Sequence, residues 1–164
     1  MIGILGNKQN MPETGTKELF SAGITYMTNG EYAFAYFCFT QIGKANLAVF
    51  YNKALCCYHL SFFEECRSLL LEAERLLPPS VNQNYFQNNL PANILQWEYE
   101  NSPTSCPMPL ESPANIATIQ LLRLKAEISA KLLIYNEVQA IHARLDNKYQ
   151  HIEELIKTQK HEIQ

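Results

Sequence analysis

Cys56 and His59 stand one helical turn apart, with Cys57 between them and Cys66 further on. Thiolate and imidazole at that spacing are donors for a structural zinc, and a thiol near an imidazole is also the minimum equipment of a cysteine nucleophile. Zinc requires about four converging ligands, and the chain has no paired CxxC knuckle to supply them. Cys57 and Cys66 instead fall at core positions of the repeat described below, so buried thiols are expected and no metal ligand is assigned. The pairings of Cys38, Cys57 or Cys66 with His59 or His142 that a nucleophile would need are ones any such chain offers by chance. Glu64-Glu65 and Glu153-Glu154 read as solvated helix faces. A glycine-rich phosphate loop, an H-E-x-x-H pair and a nucleophile elbow are all absent from the sequence. No catalytic residue, metal or cofactor is expected, and the chain reads as a non-enzyme.

With chemistry set aside, the question becomes which elements hold these residues. A chain of 164 residues fits one domain, and 47% hydrophobic against 18% charged residues is the composition of a packed globule. The net charge of −3 leaves no basic excess for nucleic acid or anionic lipid, so neither is an expected partner. Met1 to Gly6 lack a basic n-region and a long apolar run, and no spanning segment is expected. Five cysteines, an odd number in a chain that needs no staples, point to reduced thiols and a cytoplasmic location.

An internal repeat decides the architecture. A small residue in a first helix (Gly23, Ala54, Ala126) precedes a small or mid-sized residue in a second (Ala35, Cys66, Val138) by twelve positions in each of three segments. Two antiparallel helices joined by a tight turn approach closely only where one lacks bulk, so Gly23 is expected to face Ala35. The expected core runs through Tyr26, Ala35, Phe39, Cys57, Cys66, Leu70 and Val138.

The first unit has Gly23 and Tyr26, then Ala35 and Phe39; the second has Phe50, Ala54 and a terminal Pro78. In these residues the chain resembles the tetratricopeptide repeat, W-x2-L-G-x2-Y, then A-x3-F, then P. The third unit departs from it, with Ser129 and His142 at the two aromatic positions. The resemblance implies an all-α, right-handed superhelix of helical hairpins: repeat one over 16–45, repeat two over 47–78, and a degenerate repeat three with a long C-terminal helix over 113–164. The stripe Val138, Ile141, Leu145, Tyr149, Ile152, Ile156 carries that last helix beyond one repeat. Its end is expected to fold back as a cap over the last hairpin, with a homodimer through this helix as the competing arrangement.

Punctuation fits the frame. Thr16 caps the first helix, Asn29-Gly30 ends it, Gly43 ends the second, Asn46 caps the third, Pro78-Pro79 stops the fourth and Ser112-Pro113 opens the fifth. Between units two and three lies an insertion over 79–112. Residues 78–113 hold seven of the eight prolines and no Lys or Arg, which excludes a hidden fourth repeat. Tyr85, Phe86, Leu90, Ile94, Leu95, Trp97 and Tyr99 give its first half a docking surface, with a short helix from Pro91 to Tyr99. Asn101 to Leu110 read as extended or disordered.

Tetratricopeptide arrays bind extended peptides on the concave face made by the first helix of each pair. The resemblance therefore implies a groove lined by Phe20, Ile24, Met27, Tyr51, Asn52, Leu55, Tyr58, Arg123 and Glu127. Family members that clamp a C-terminal carboxylate need Lys and Asn where this chain has Phe20 and Ile24; only Asn52 matches. A carboxylate would meet no charge-assisted donors there. Either the groove is open to a partner or its aromatics are core covered by the insertion, and the insertion is expected to cover it. The implied function is a protein-binding scaffold or adaptor with a protein or peptide partner; the alternative is a secretion-type chaperone holding an unfolded client.

Overall fold

The computed structural model describes residues 13–78 and 106–162. Among them are seven helices and no strand: α1 Glu13–Thr28, α2 Tyr32–Thr40, α3 Leu47–His59, α4 Phe63–Arg75, α5 Ala114–Lys131, α6 Tyr135–Arg144 and α7 Gln150–Glu162. The all-α expectation holds. Each helix packs on the next in the chain, and α5 also touches α3 and α7. Tyr85, Phe86, Leu90, Ile94, Leu95, Trp97, Tyr99 and the expected helix from Pro91 lie outside the described residues.

The three hairpins close in one way. Seven residues after Gly23, Ala54 and Ala126 the backbone turns left-handed, at Gly30 (φ 78°), Ser61 (φ 64°) and Leu133 (φ 61°). The next residue then donates its N–H five residues back: Glu31 to Tyr26, Phe62 to Cys57 and Ile134 to Ser129, each at 2.8 Å. This bond satisfies a carbonyl that the helix end would otherwise orphan. The third unit, degenerate in its side chains, is therefore equivalent to the others in its backbone. Only Gly30 takes the left-handed conformation without a steric penalty. Leu133, about two-thirds exposed, pays it with no packing to lose. Leu133→Gly is expected to stabilise the fold by about 1 kcal/mol, the left-handed cost less the added freedom of the unfolded chain; a urea midpoint that falls instead would show that Leu133 packs.

The small positions are buried as a set, with Ala35, Ala54, Cys66, Ala126 and Val138 fully enclosed. Gly23 does not face Ala35 as its nearest neighbour, however. A Cβ there would lie 2.6 Å from the Phe39 ring, which is itself fully buried and edge-on to Phe20. One turn of α2 separates the two residues, and the large flat ring takes the space that the missing side chain leaves. Gly23→Ala gains about 1 kcal/mol of helix propensity but overpacks this contact by about 1–3 kcal/mol, so net destabilisation is expected in thermal melts, relieved by Phe39→Leu. Tyr26, expected in the core, is half-buried and lies against Phe34.

Several boundaries move. α1 begins at Glu13, ahead of Thr16, and the residue capping α5 is Pro113, with no side-chain bond from Ser112. Asn46 does cap α3, accepting from the Ala48 N–H at 2.8 Å and the Val49 N–H at 3.4 Å. The long C-terminal helix is broken in two. Asp146 and Asn147 both adopt positive φ (57°), and the Asn147 N–H bonds back to the His142 carbonyl at 3.0 Å. Asp and Asn are the side chains that tolerate this conformation. The bend returns α7 onto α5 and α6, where Tyr149 and Ile152 are buried and Leu155 and Ile156 are half-buried. This is the expected capping arrangement.

Candidate functional site

α5 lies at the middle of the stack and is buried on nearly every face, so its polar residues Thr118, Gln120, Arg123, Lys125, Glu127 and Ser129 are buried with it. Buried polar groups require partners. Those partners organise the region into three parts.

The first part faces the segment Cys106–Leu110. Asn52, fully buried on α3, donates from Nδ2 to the Met108 carbonyl and accepts the Met108 N–H at Oδ1, both at 2.8 Å. Tyr51 donates its hydroxyl to the Cys106 carbonyl at 3.2 Å, and the Gln120 amide approaches the same oxygen at 3.5 Å. Pro107 and Pro109 flank Met108, so Met108 carries the one backbone N–H of that tripeptide, and the residue before a proline is held extended. An extended residue presents its N–H and C=O to the same side, as in a strand pair. The carboxamide of Asn52 matches that pair with its own donor and acceptor. Met108 is the only side chain of 106–113 to be buried, and it is fully enclosed. Beside it, between the start of α3, the end of α4 and the start of α5, lies a cavity of about 170 Å³ lined by Leu47, Leu77, Pro109, Leu110 and Ala117 among others.

The second part joins α3, α5 and α7. Tyr58 hydrogen-bonds to the Glu127 carboxylate, which also contacts His151, and the Arg123 guanidinium lies over the Tyr149 ring at 5.9 Å. Burial, with the Glu127 charge next, pushes the Tyr58 hydroxyl up to about 12.

The third part is an ion network across α4, α5 and α6. Lys125 Nζ lies 2.6 Å from Glu74 and 3.4 Å from Glu137; Arg144 also holds Glu74 at 2.7 Å, and Arg67 holds Glu137 at 3.4 Å. The Ser129 hydroxyl is 2.6 Å from Glu137. Burial raises both carboxyls, but the bonds and charges of Lys125 and Arg144 at Glu74, and of Ser129, Lys125 and Arg67 at Glu137, outweigh it and hold both below the usual range.

The sequence-derived groove is thus divided rather than continuous. Tyr51 and Asn52 come together on the 106–110 segment; Tyr58, Arg123 and Glu127 come together under α7. Phe20 turns into the first hairpin against Phe39, and Met27 and Leu55 are buried, so none of these three offers an open lining. Ile24 is half-buried against the core. The sequence does not single out Gln120, His151 or the ion network, and it marks Tyr149 only as part of the C-terminal apolar stripe. The apolar neighbours of Gln120 on α5 were the one available signal, since a polar residue inside a fully buried helix must bond to something.

No protein-family model, curated protein or solved structure matches the chain. Function must be read from the geometry.

The three buried thiols, Cys56, Cys57 and Cys66, are ill suited to nucleophilic work. Cys56 and Cys66 are fully enclosed and Cys57 nearly so. Burial pushes the Cys56 thiol up to about 12 and Cys57 to about 11, and raises Cys66 as well. Thiolate, the reactive form, is therefore scarce at neutral pH. All five cysteines are free, and among the described residues no group of three or more His, Cys, Asp and Glu could hold a metal ion. No helix among the described residues is long and apolar enough to cross a membrane.

Proposed function

We propose that this chain is a non-catalytic protein-interaction module of the tetratricopeptide type, a scaffold or adaptor whose α3–α5 face grips an extended partner segment by its backbone. One observation carries this reading: a buried asparagine on the first helix of the second hairpin pairs with both backbone groups of one extended residue. Such a grip selects for extended conformation through the backbone, while the enclosure of the Met108 side chain selects for an apolar residue, the combination that recognition of a peptide strand uses. The three hairpins with identical closure supply the rigid frame, and the free thiols fit a reducing compartment such as the cytoplasm.

The test is selection from a peptide-display library on the full chain and on its Asn52→Ala and Tyr51→Phe variants. Extended apolar peptides should be enriched on the wild type, lost with Asn52→Ala and weakened about fivefold by Tyr51→Phe, the worth of one neutral hydrogen bond. Peptides that bind all three forms equally would place recognition elsewhere and refute the proposal.

A further inference from the structure

The grip already has an occupant, and the occupant is this chain. We infer that Cys106–Leu110 is a displaceable internal plug, and that the partner displacing it carries the same chemistry: an extended segment with one apolar side chain, Met or Leu, between two prolines. The inference rests on the reading above.

Four observations support it. The plug buries one side chain: of 106–113 only Met108 is buried, and Cys106, Pro109 and Glu111 are exposed. Its backbone is held by side chains of α3 and α5, with no helix or strand pairing. The prolines keep the segment extended when free, so a segment of the same pattern loses little conformational entropy on binding. Finally, the cavity of about 170 Å³ alongside Pro109 and Leu110 is space the plug leaves unfilled. A partner with a larger apolar residue at the Leu110 position gains contacts that the plug lacks.

Displacement follows population arithmetic. A ligand that binds only the open form shows an affinity reduced by the fraction of molecules that are open, so weakening the plug must tighten binding in trans by the same factor.

The probe is a fluorescent synthetic peptide with the sequence of residues 104–112 and Cys106→Ser, titrated by anisotropy into the full-length wild type, Met108→Asp and Met108→Asp/Asn52→Ala. Binding to Met108→Asp is expected to be at least about tenfold tighter than to the wild type, because a carboxylate in an apolar socket opens the plug. The double variant should lose that binding. Equal affinity for wild type and Met108→Asp would overturn the plug, as would binding that survives loss of Asn52.

Hydrogen exchange at the Met108 amide of the wild type, with and without excess unlabelled peptide, tests the same point where Met108→Asp does not fold. Exchange should accelerate about tenfold with peptide if the plug is displaced; unchanged protection at saturating peptide overturns the inference. A display-selected peptide that binds in an Asn52-dependent way without exposing Met108 would leave the proposed function standing and remove only the plug. Failure of every peptide on every form removes both.

Discussion

Asn52→Ala is expected to cost about 2–4 kcal/mol, because it strands two buried backbone groups at once, each worth about 1–3 kcal/mol when left without a partner. Part of that penalty is recovered where Met108 lifts toward water, which keeps the estimate below the full sum. Asn52→Asp should be worse at neutral pH. It keeps an acceptor for the Met108 N–H at 2.8 Å but turns the donor facing the Met108 carbonyl into a charged oxygen. Buried beside a carbonyl, that carboxyl titrates above its unfolded value, so the penalty is absent below the unfolded pKa and grows as pH rises. The difference between Asn52→Asp and wild type in urea midpoints should therefore narrow on acidification. A pH-independent difference would mean that the side chain has turned away from Met108.

Glu74→Gln should cost about 2–4 kcal/mol, near the range for breaking a buried ion pair but discounted because Glu74 and Arg144 are partly exposed. Lys125, only 10% exposed at its side chain, then keeps a single carboxylate, Glu137 at 3.4 Å, which it shares with Arg67, while Arg144 loses the carboxylate it held. Replacing both partners, as in Glu74→Leu/Lys125→Met, should return stability to within about 1 kcal/mol of the wild type, since an apolar pair escapes the desolvation that the ions suffer. The double-mutant cycle measures the coupling directly. The pH dependence has a definite sign. Glu74 and Glu137 both titrate below their unfolded value when folded, so their contribution is complete above the unfolded carboxylate range and disappears as pH falls through the folded values. The acid limb of the stability curve should be shallower in Glu74→Gln than in wild type; identical limbs would show that the network does not govern acid unfolding.

What the sequence disclosed was local. The twelve-residue offset from Gly23 to Ala35 and its two copies is a property of one hairpin, and residues such as Asn46 and Gly30 signal their roles through their own backbone preferences. The third turn is expected near Tyr135-Asn136 and lies two residues earlier, at Leu133, a position hard to foresee because leucine is no turn former and only the tertiary frame forces it left-handed. The C-terminal break was concealed differently: the apolar spacing from Val138 to Ile156 continues across it, and the Asp146-Asn147 pair was the only mark. The groove was misjudged for a third reason. Repeat position says which way a residue faces but not what covers it, and Tyr51, Asn52 and Arg123 are covered by segments far off in sequence. Lys125, Glu74 and Glu137 belong to the same class, being charges that meet only after the hairpins stack.

The seam between α4 and α5 bears on how the chain folds. Hairpin closure, with its bonds between residues five apart, is complete within a short stretch of chain and carries little loop-closure entropy. The seam is different, since everything between Arg75 and Ala114 must be spanned before Lys125 can reach Glu74. Two blocks, α1–α4 and α5–α7, are therefore expected to form first and dock afterwards. The docking contacts are absent from either block alone, so substitutions at the seam should speed unfolding while leaving the folding rate nearly unchanged. The cost of closing a connection grows only with the logarithm of its length, about 0.6 kcal/mol for each doubling, so the long connection at this seam is where added sequence is expected to cost least.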